Sequence, residues 1–477
     1  MAKKLTIDPV TRIEGHLKIE TEVEKNKITD ARIGGLMYRG MEKILLGRHP
    51  FDAARITQRI CGICHEVHGI ASIMAIEQLY NISPPHNARV LREMILGLHL
   101  VGDHLFHFYQ LCLPDYIDFS HLQAYQGKDH RIKVAAQHLK IASNSIFSQP
   151  ANKYLLKDRD LSCELAISYF EALELRRETG AGLAILGGKV PFIHALMPGG
   201  LTTSITAGKL QTFVRALRKT RDFVENSYLP QVLLLAQYFP DHFTLGVSTA
   251  GLLSYQAFNA GEKALFQSGV YQNGNREAFV ASKIKEHCER SFFEQNNKPA
   301  AQKKEAYSWI KAPHYAGTPM EVGPFARLMI NQDPGFEQLL RDCKQTELRS
   351  SVMSRLLARA YESQLLCQYI SNLQTAYRMG EPSIVAVNLD QPVTSHGSSY
   401  SIAARGALSH EIKATAGKVT DYRLLVPSAW NFGPRVGQQH GVVEAALIET
   451  PVDADNRALL SGRIVRSFDP CIACAVH

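Results

Sequence analysis

Asp469-Pro470-Cys471-Ile472-Ala473-Cys474-Ala475-Val476-His477 closes the sequence, and Arg59-Ile60-Cys61-Gly62-Ile63-Cys64-His65-Glu66-Val67-His68 stands near its start. Each stretch carries a Cys-x-x-Cys pair, and 407 positions separate Cys64 from Cys471. We expect the two pairs to meet in the fold and to hold one metal centre between them. The rest of the chain is then the scaffold that returns the tail to Cys61.

A thiolate is a soft ligand. Four of them select zinc, an iron–sulfur cluster or another soft-binding transition metal. A structural four-cysteine zinc site is the plain alternative, and three features oppose it. A zinc ribbon closes a loop of roughly 15–20 residues between its pairs, far shorter than the separation here. A core of 477 residues needs no metal staple. The pairs are also flanked by Arg59, His68, Asp469 and His477, polar groups of the kind that orient and tune ligands.

The other five cysteines, Cys112, Cys163, Cys288, Cys343 and Cys367, are scattered singly and read as small buried hydrophobes. That usage suits metal ligation in a reducing compartment better than a disulfide framework. Apolar residues make up 45% and charged residues 21%, ordinary for a soluble globular protein. Lys and Arg exceed Asp and Glu by 53 to 45 without forming a basic block, so nucleic acid is not an expected partner. Met1-Ala2-Lys3-Lys4 runs directly into Leu5-Thr6-Ile7 with no apolar run behind it, so no signal peptide is expected on this chain. The uncharged stretches 190–208 and 243–261 are rich in Gly, Ser and Thr, and neither reads as a membrane span.

Residues 4–36 alternate apolar and polar side chains, broken at Glu24-Lys25-Asn26-Lys27, which predicts a small antiparallel sheet. From 51 the period becomes helical. Residues 51–79 read as helix with a glycine interruption. Residues 87–115 read as one long helix, with Val90, Leu91, Met94, Ile95, Leu98, Val101, Leu105 and Phe108 at steps of three and four. Further helices are expected near 130–155, 161–183, 205–236, 275–295 and 350–378. Residues 187–200 and 297–325 read as irregular, the latter as surface. Strands return at 384–387, 410–414 and 422–426. The expected fold class is α+β and predominantly helical, with a long central helix bundle and small peripheral β-sheets from the N- and C-terminal parts. Residues 1–477 are expected to form a single unit, with a sheet region at 1–50, a helical body at 51–380 and C-terminal strands and metal-binding tail at 381–477.

Arg-x-Cys-Gly-x-Cys-x-x-x-His followed by a closing Asp-Pro-Cys-x-x-Cys-x-x-His resembles the large subunit of the nickel–iron hydrogenases. The resemblance spans the chain. It includes Thr11-Arg12-Ile13-Glu14-Gly15-His16, Arg39-Gly40-Met41-Glu42, Asp103-His104 with His107-Phe108-Tyr109, Arg405-Gly406-Ala407-Leu408 and Val426-Pro427-Ser428-Ala429-Trp430-Asn431, all in family order. It implies that Cys61, Cys64, Cys471 and Cys474 bind nickel. Cys64 and Cys474 would also bridge to an iron carrying carbon monoxide and two cyanides. Some family members have selenocysteine at the position of Cys471; this sequence has cysteine.

The implied reaction is reversible heterolytic cleavage of H2 into protons and electrons. Cys471 would receive the proton, Glu14 would pass it outward, and Arg405, paired with Asp103, would overhang the open site. Read without the resemblance, Glu14 pairs with Arg12, and Asp103 pairs with His99 or His107. Asp469 and Ser428 would lie around the metals, with Ser428 and the backbone near Ala404 donating to the cyanides. Many family members have Pro where this chain has Ala404, which puts the local loop shape in question. His68 would donate to a bridging sulfur. Glu42 and His477 match a second metal site, for magnesium or iron. In the loop 187–200, Val190 and Phe192 stand where other members often carry His, and the loop is given no catalytic role.

With the four paired cysteines used at one centre, electrons need a second polypeptide, an iron–sulfur small subunit forming a heterodimer or higher oligomer. Iron–sulfur clusters are expected only there. In the family a maturation protease trims a C-terminal extension just after the position of His477, so this ending is expected of a mature subunit. The compartment is open: cytoplasmic, or periplasmic or membrane-associated through co-export with the small subunit. Alternatives are an H2-sensing regulatory hydrogenase of low turnover, the related quinone-oxidoreductase subunit of respiratory complex I, and a plain zinc protein. The four intact cysteines oppose the second.

Overall fold

The computed structural model describes residues 3–123, 125, 126, 128, 130–141, 154–261, 263–272, 274–294, 297–388, 391–452 and 458–477. The N-terminal alternation forms an antiparallel meander of β1 (Lys3–Ile7), β2 (Leu17–Glu24) and β3 (Lys27–Gly35). β2 buries Leu17, Ile19, Thr21 and Val23, every second residue, as a one-faced strand must. Its hairpin to β3 turns through Lys25 and Asn26, both at positive φ, the geometry whose twist matches the flanking strands. The β1–β2 connection, residues 8–16, carries Glu14.

Among the described residues, nine helices frame the site: α1 (Met41–Leu45), α2 (His65–Tyr80), α3 (His86–Phe106), α4 (Arg159–Gly187), α5 (Ala207–Phe223), α6 (Val352–Leu373), α7 (Pro427–Phe432), α8 (Leu459–Ser467) and α9 (Ile472–Ala475). α3 packs against α4 and α6, and α4 packs against α5. The periodic apolar residues of α3 are buried from Val90 to Leu105. Asp158 accepts from Leu161 N at the start of α4, and Ser351 from Ser354 N at the start of α6. Both are side-chain caps of otherwise orphaned amides.

A C-terminal meander of β10 (Ser395–Ala403), β11 (Gly406–Thr415) and β12 (Lys418–Leu425) lies under α2. Gly397 is required there, because a Cβ at this position would stand 2.1 Å from the Ala75 carbonyl oxygen of α2. The tight β10–β11 hairpin pairs Ala403 with Gly406 and leaves Ala404-Arg405 as its tip.

Helix makes up 46% and strand 20%. Several expectations are corrected: among the described residues the widest sheet arises from the middle, not the ends. That sheet holds β4 (Gly251–Ser254), β5 (Gly269–Gln272), β6 (Asn275–Glu277), β7 (Ile284–His287), β8 (Ala312–Tyr315) and β9 (Thr318–Glu321) in the order β6-β5-β4-β9-β8-β7. The helix expected at 275–295 is therefore strand, and the surface loop expected at 297–325 contains the fully buried β8. Strands of three or four residues lack a readable period, and non-local pairing overrides the local helix propensity of a Lys- and Glu-rich segment. The expected helix 87–115 ends at Phe106 and passes into a π-turn, His107–Cys112. The helix expected at 205–236 is divided by a second π-turn, Val224–Tyr228. Of the helix expected at 130–155, His130–Ile141 is helical, and 142–153 lie outside the described residues. The strand expected at 384–387 is a single bridge from Ile384 to Gly200.

α6 holds the approach to the tail. Arg355 makes a two-pronged pair with Glu321 of β9 at 2.9 and 3.3 Å and donates to Gly246 O and to Ser467 Oγ. Its guanidinium lies 3.5 Å from the ring centroid of Phe468. Arg359 donates to Ser467 O. Breaking one partner of a buried ion pair strands the other charge, at a cost of about 3–5 kcal/mol. Arg355→Met is expected to destabilise the protein by that order, read from denaturant unfolding; a loss below ~1 kcal/mol would show that Glu321 is satisfied without it.

Candidate metal centre

Cys61 follows a short turn, Gln58–Ile60, and Cys64 stands at the N-cap of α2. Cys471 stands at the N-cap of α9 and Cys474 lies within it. Both pairs thus sit at helix starts, where the chain turns sharply enough to aim two sulfurs at one point. The four sulfurs lie within 4.8 Å of one another and all four residues are buried. Cys64 and Cys474 are 3.1 Å apart, Cys61 and Cys471 3.3 Å, Cys64 and Cys471 4.0 Å. The amides of Ile63 and Cys64 donate to Cys61 Sγ at 3.2 and 3.4 Å.

Crowded in this way, the sulfurs oppose one another's ionisation. Hydrogen bonds from the neighbouring thiols hold Cys61 well below the usual thiol range, while burial pushes Cys471 and Cys474 well above it. A soft cation removes the conflict, since it neutralises the charge that burial penalises. The donor set therefore fits a thiolate-bound transition metal.

Three contacts dock the tail. Glu14 N donates to Pro470 O at 3.3 Å and Ile472 N to Glu14 O at 2.8 Å, a parallel bridge between the β1–β2 loop and Cys471. Gly15, at φ +83°, lets the loop pass; a Cβ there would stand 2.6 Å from Ala473 N. Arg39 donates to Ala473 O at 2.7 Å and also to the carbonyls of Arg59 and Ile60, so one guanidinium ties both cysteine segments. The loop is in turn fixed to α8 through Asp115, which pairs with both Arg12 and Arg466; Arg466 also donates to Thr11 O at 3.0 Å. Burial works against the Asp115 carboxylate, but Arg466 and Arg12 hold it below its usual range.

Around the sulfurs the expected groups converge. Glu14 Oε2 lies 3.2 Å from Cys471 Sγ and accepts from Ala473 N at 3.1 Å. Burial raises its pKa. Arg12 pairs with Asp115, not with Glu14. Arg405 donates through Nε to Asp469 O at 3.0 Å and reaches Asp469 Oδ1 at 3.0 Å. It stands 3.8 Å from Asp103 Oδ2. Asp103 also faces His99 at 3.4 Å. His107 is not its partner: the π-turn hands His107 Nε2 to Arg466 O at 2.6 Å. Ser428 Oγ accepts from Cys471 N at 2.9 Å, which leaves its own hydrogen available to donate. His68 Nδ1 pairs with His410 Nε2 at 3.1 Å, and His410 continues to Tyr422.

Glu42 and His477 form a second locus. His477 Nε2 lies 3.3 Å from Glu42 Oε1, and it is buried with no hydrogen bond. Its Nδ1 pairs with Cys474 O at 2.6 Å. Burial opposes the Glu42 carboxylate, yet His477 and Lys311 hold its pKa at about 2. An ionised carboxylate beside an unpartnered imidazole nitrogen fits a divalent cation.

Sequence reasoning did not assign roles to Arg39, Glu66 or Arg176. Arg39 belongs to a quoted motif block and was findable there. Arg176 has no local signal, being brought to Asp103 by helix packing alone. Val190 lines a small cavity beside His65, and Phe192 lies under the Arg59 guanidinium, 3.8 Å away.

The profile of the nickel-dependent hydrogenase family matches residues 39–149 and 131–477, and a HoxL-like profile matches residues 4–34. The periplasmic [NiFeSe] hydrogenase large subunit of Desulfomicrobium baculatum is 31% identical over 99% of this chain and 95% of its own length. The hydrogenase-2 large chain of Escherichia coli K12 is 30% identical over 100% of this chain and 97% of its own. Among solved structures, the reduced Ni-Fe-Se hydrogenase of D. vulgaris Hildenborough superposes with a TM-score of 0.90 at 35% identity, covering both chains completely.

Gly15→Ala is expected to push the tail from its loop. Metal retention by the four cysteines should weaken about 10-fold or more, the scale of defects in groups that orient ligands, as measured by metal analysis after dialysis against a chelator. Undiminished retention would show that the loop does not hold the tail in place.

Proposed function

The chain belongs to the nickel-dependent hydrogenase family, and from that premise we propose that Cys61, Cys64, Cys471 and Cys474 hold a nickel–iron centre that cleaves H2 heterolytically. It is a hydrogenase large subunit of the nickel–iron type, an oxidoreductase acting on H2. The observation that carries the finer reading is the meeting of four buried sulfurs with Glu14, 3.2 Å from Cys471, on one side and with Arg405 on another.

Bound there, the centre supplies the Lewis acidity and redox capacity that an uncharged, non-polar H2 molecule requires. The iron would carry carbon monoxide and two cyanides, and Ser428 and the backbone at Ala404 would donate to the latter. Cys64 and Cys474 would bridge the metals; Cys61 and Cys471 would bind nickel alone. His68 would donate to a bridging sulfur through the ring nitrogen not used by His410. Glu42 and His477 would hold magnesium or iron, suited to mixed carboxylate and imidazole donors.

The protein's share of the chemistry is proton management. The Cys471 sulfur receives the proton. Glu14 lies within reach of it, and burial raises its pKa, the direction that suits a carboxyl group passing protons. Arg405, fixed by Asp469 and Asp103, keeps a permanent cation beside the cysteines. Electrons leave through an iron–sulfur partner subunit. In support, the remaining five cysteines are scattered singly along the sequence.

Infrared spectra of the enzyme purified with its partner should show carbonyl and cyanide bands, with nickel and iron in the metal analysis. Zinc in their place and no such bands would overturn the reading. Glu14→Gln is expected to lower H2 oxidation and H/D exchange by about 10²–10⁴-fold, the scale of a lost acid–base group, with nickel retained. Full activity in that variant would refute the relay.

A further inference from the structure

Asp103 is buried on α3, and its two oxygens face different cations. Oδ2 stands 3.8 Å from Arg405 Nη1. Oδ1 stands 3.3 Å from Nη1 of Arg176, which reaches over from α4. The same Nη1 donates to Gly102 O at 2.9 Å. The guanidinium lies 4.6 Å from the ring centroid of Phe106, one turn beyond. Arg176 therefore clamps the whole turn 102–106 that carries Asp103. The two helices meet there: a Cβ on Gly102 would stand in van der Waals contact with Thr179 Oγ1, 3.4 Å away. Arg176 also walls a cavity of about 70 Å³ lined by His65, His99 and Thr179, and its side chain keeps 32% exposure.

We propose that Arg176 is a positioning residue for the hydrogenase reaction, fixing Asp103 and, through Asp103, the place of the Arg405 guanidinium beside the cysteines. The inference rests on the reading of Arg405 given above. The physical argument is competition. A carboxylate shared between two arginines is drawn toward both and held in one rotamer. With one arginine gone, it turns to the other and makes the two-pronged pair that guanidinium geometry favours. Losing Arg176 thus strengthens the Asp103–Arg405 contact and draws Arg405 toward α3, away from Cys471. Asp469 opposes that movement through its own contacts with Arg405, so the displacement is partial. The cation remains in the site but in the wrong place. Misplacements of this size have large effects on rate because reacting groups need alignment. Glu66 belongs to the same cluster, pairing with His65 and facing His99 Nδ1 at 3.2 Å.

The test uses the enzyme purified with its partner subunit, carrying Arg176→Gln or Arg176→Lys. R176Q is expected to lower kcat for H2 oxidation about 10-fold or more, with KM for H2 and nickel and iron contents unchanged. The cyanide infrared bands should shift, because the nearby charge has moved. R176K, which keeps a cation, should recover most of the turnover and move the bands back. Parental turnover and bands in R176Q would overturn the proposal. So would turnover lost only in proportion to nickel, or R176K as defective as R176Q with bands unmoved, since each marks a merely structural residue. Arg405→Lys separates the two levels. Parental turnover in R405K sinks the reading of Arg405 itself, whereas an inactive R405K beside a silent R176Q sinks only the role of Arg176.

Discussion

The site depends on a backbone pairing two residues wide. Glu14 and Cys471 form an isolated parallel bridge that aligns a loop near the start of the chain with the tail at its end. Shifting it by one residue would turn Glu14 away from Cys471 and put apolar side chains in place of both tail sulfurs. So small a contact cannot hold register unaided. Asp115 supplies the support, joining Arg12 of the loop to Arg466 of α8. Arg39 supplies more, binding carbonyls of both cysteine segments.

The charges around the sulfurs follow from the same constraint. Bringing four thiols together in a dry interior calls for cations, and the scaffold provides arginine, whose charge survives burial where that of lysine or histidine is readily lost. Burial drives the pKa of His65 and His107 down to about 3 and of His68 to about 4. Arg405 instead is raised well above its ordinary value despite burial, held by Asp469, Cys471 and Asp103. The permanent positive charge next to the cysteines is thus an arginine held among carboxylates, and the neighbouring imidazoles act as neutral donors and acceptors.

The metal site was legible in the sequence because its chemistry is compact. Two sulfurs three residues apart, with Arg, Asp and His at set distances, leave a signature that survives any fold. Glu14, Arg405, Asp103 and Ser428 were readable only through motif resemblance, since nothing local distinguishes Glu14 from a partner of Arg12. The long helices were legible from the period of α3 and α4. The central sheet was not. β6 and β7 lie in a segment whose Lys and Glu residues favour helix, and their pairing with distant strands decides the outcome. The end of α3 was missed for a related reason: the apolar period runs on through Phe108, while the π-turn at His107–Cys112 re-aims the side chains toward α8.

The hydrogen bond from His477 to Cys474 O has a thermodynamic meaning. It places His477, proposed for the second locus, one short helical turn from Cys474 of the first. Neither set is complete until the same few tail residues are seated, so each site draws on a shared ordering cost. With the proposed metals bound, whichever ion arrived first would meet that cost and lower it for the other, and by reciprocity the second would do the same in equal measure. The two loci would then behave as a heterotropic pair, a hard cation at Glu42 and His477 raising the affinity of the cysteine site it never touches.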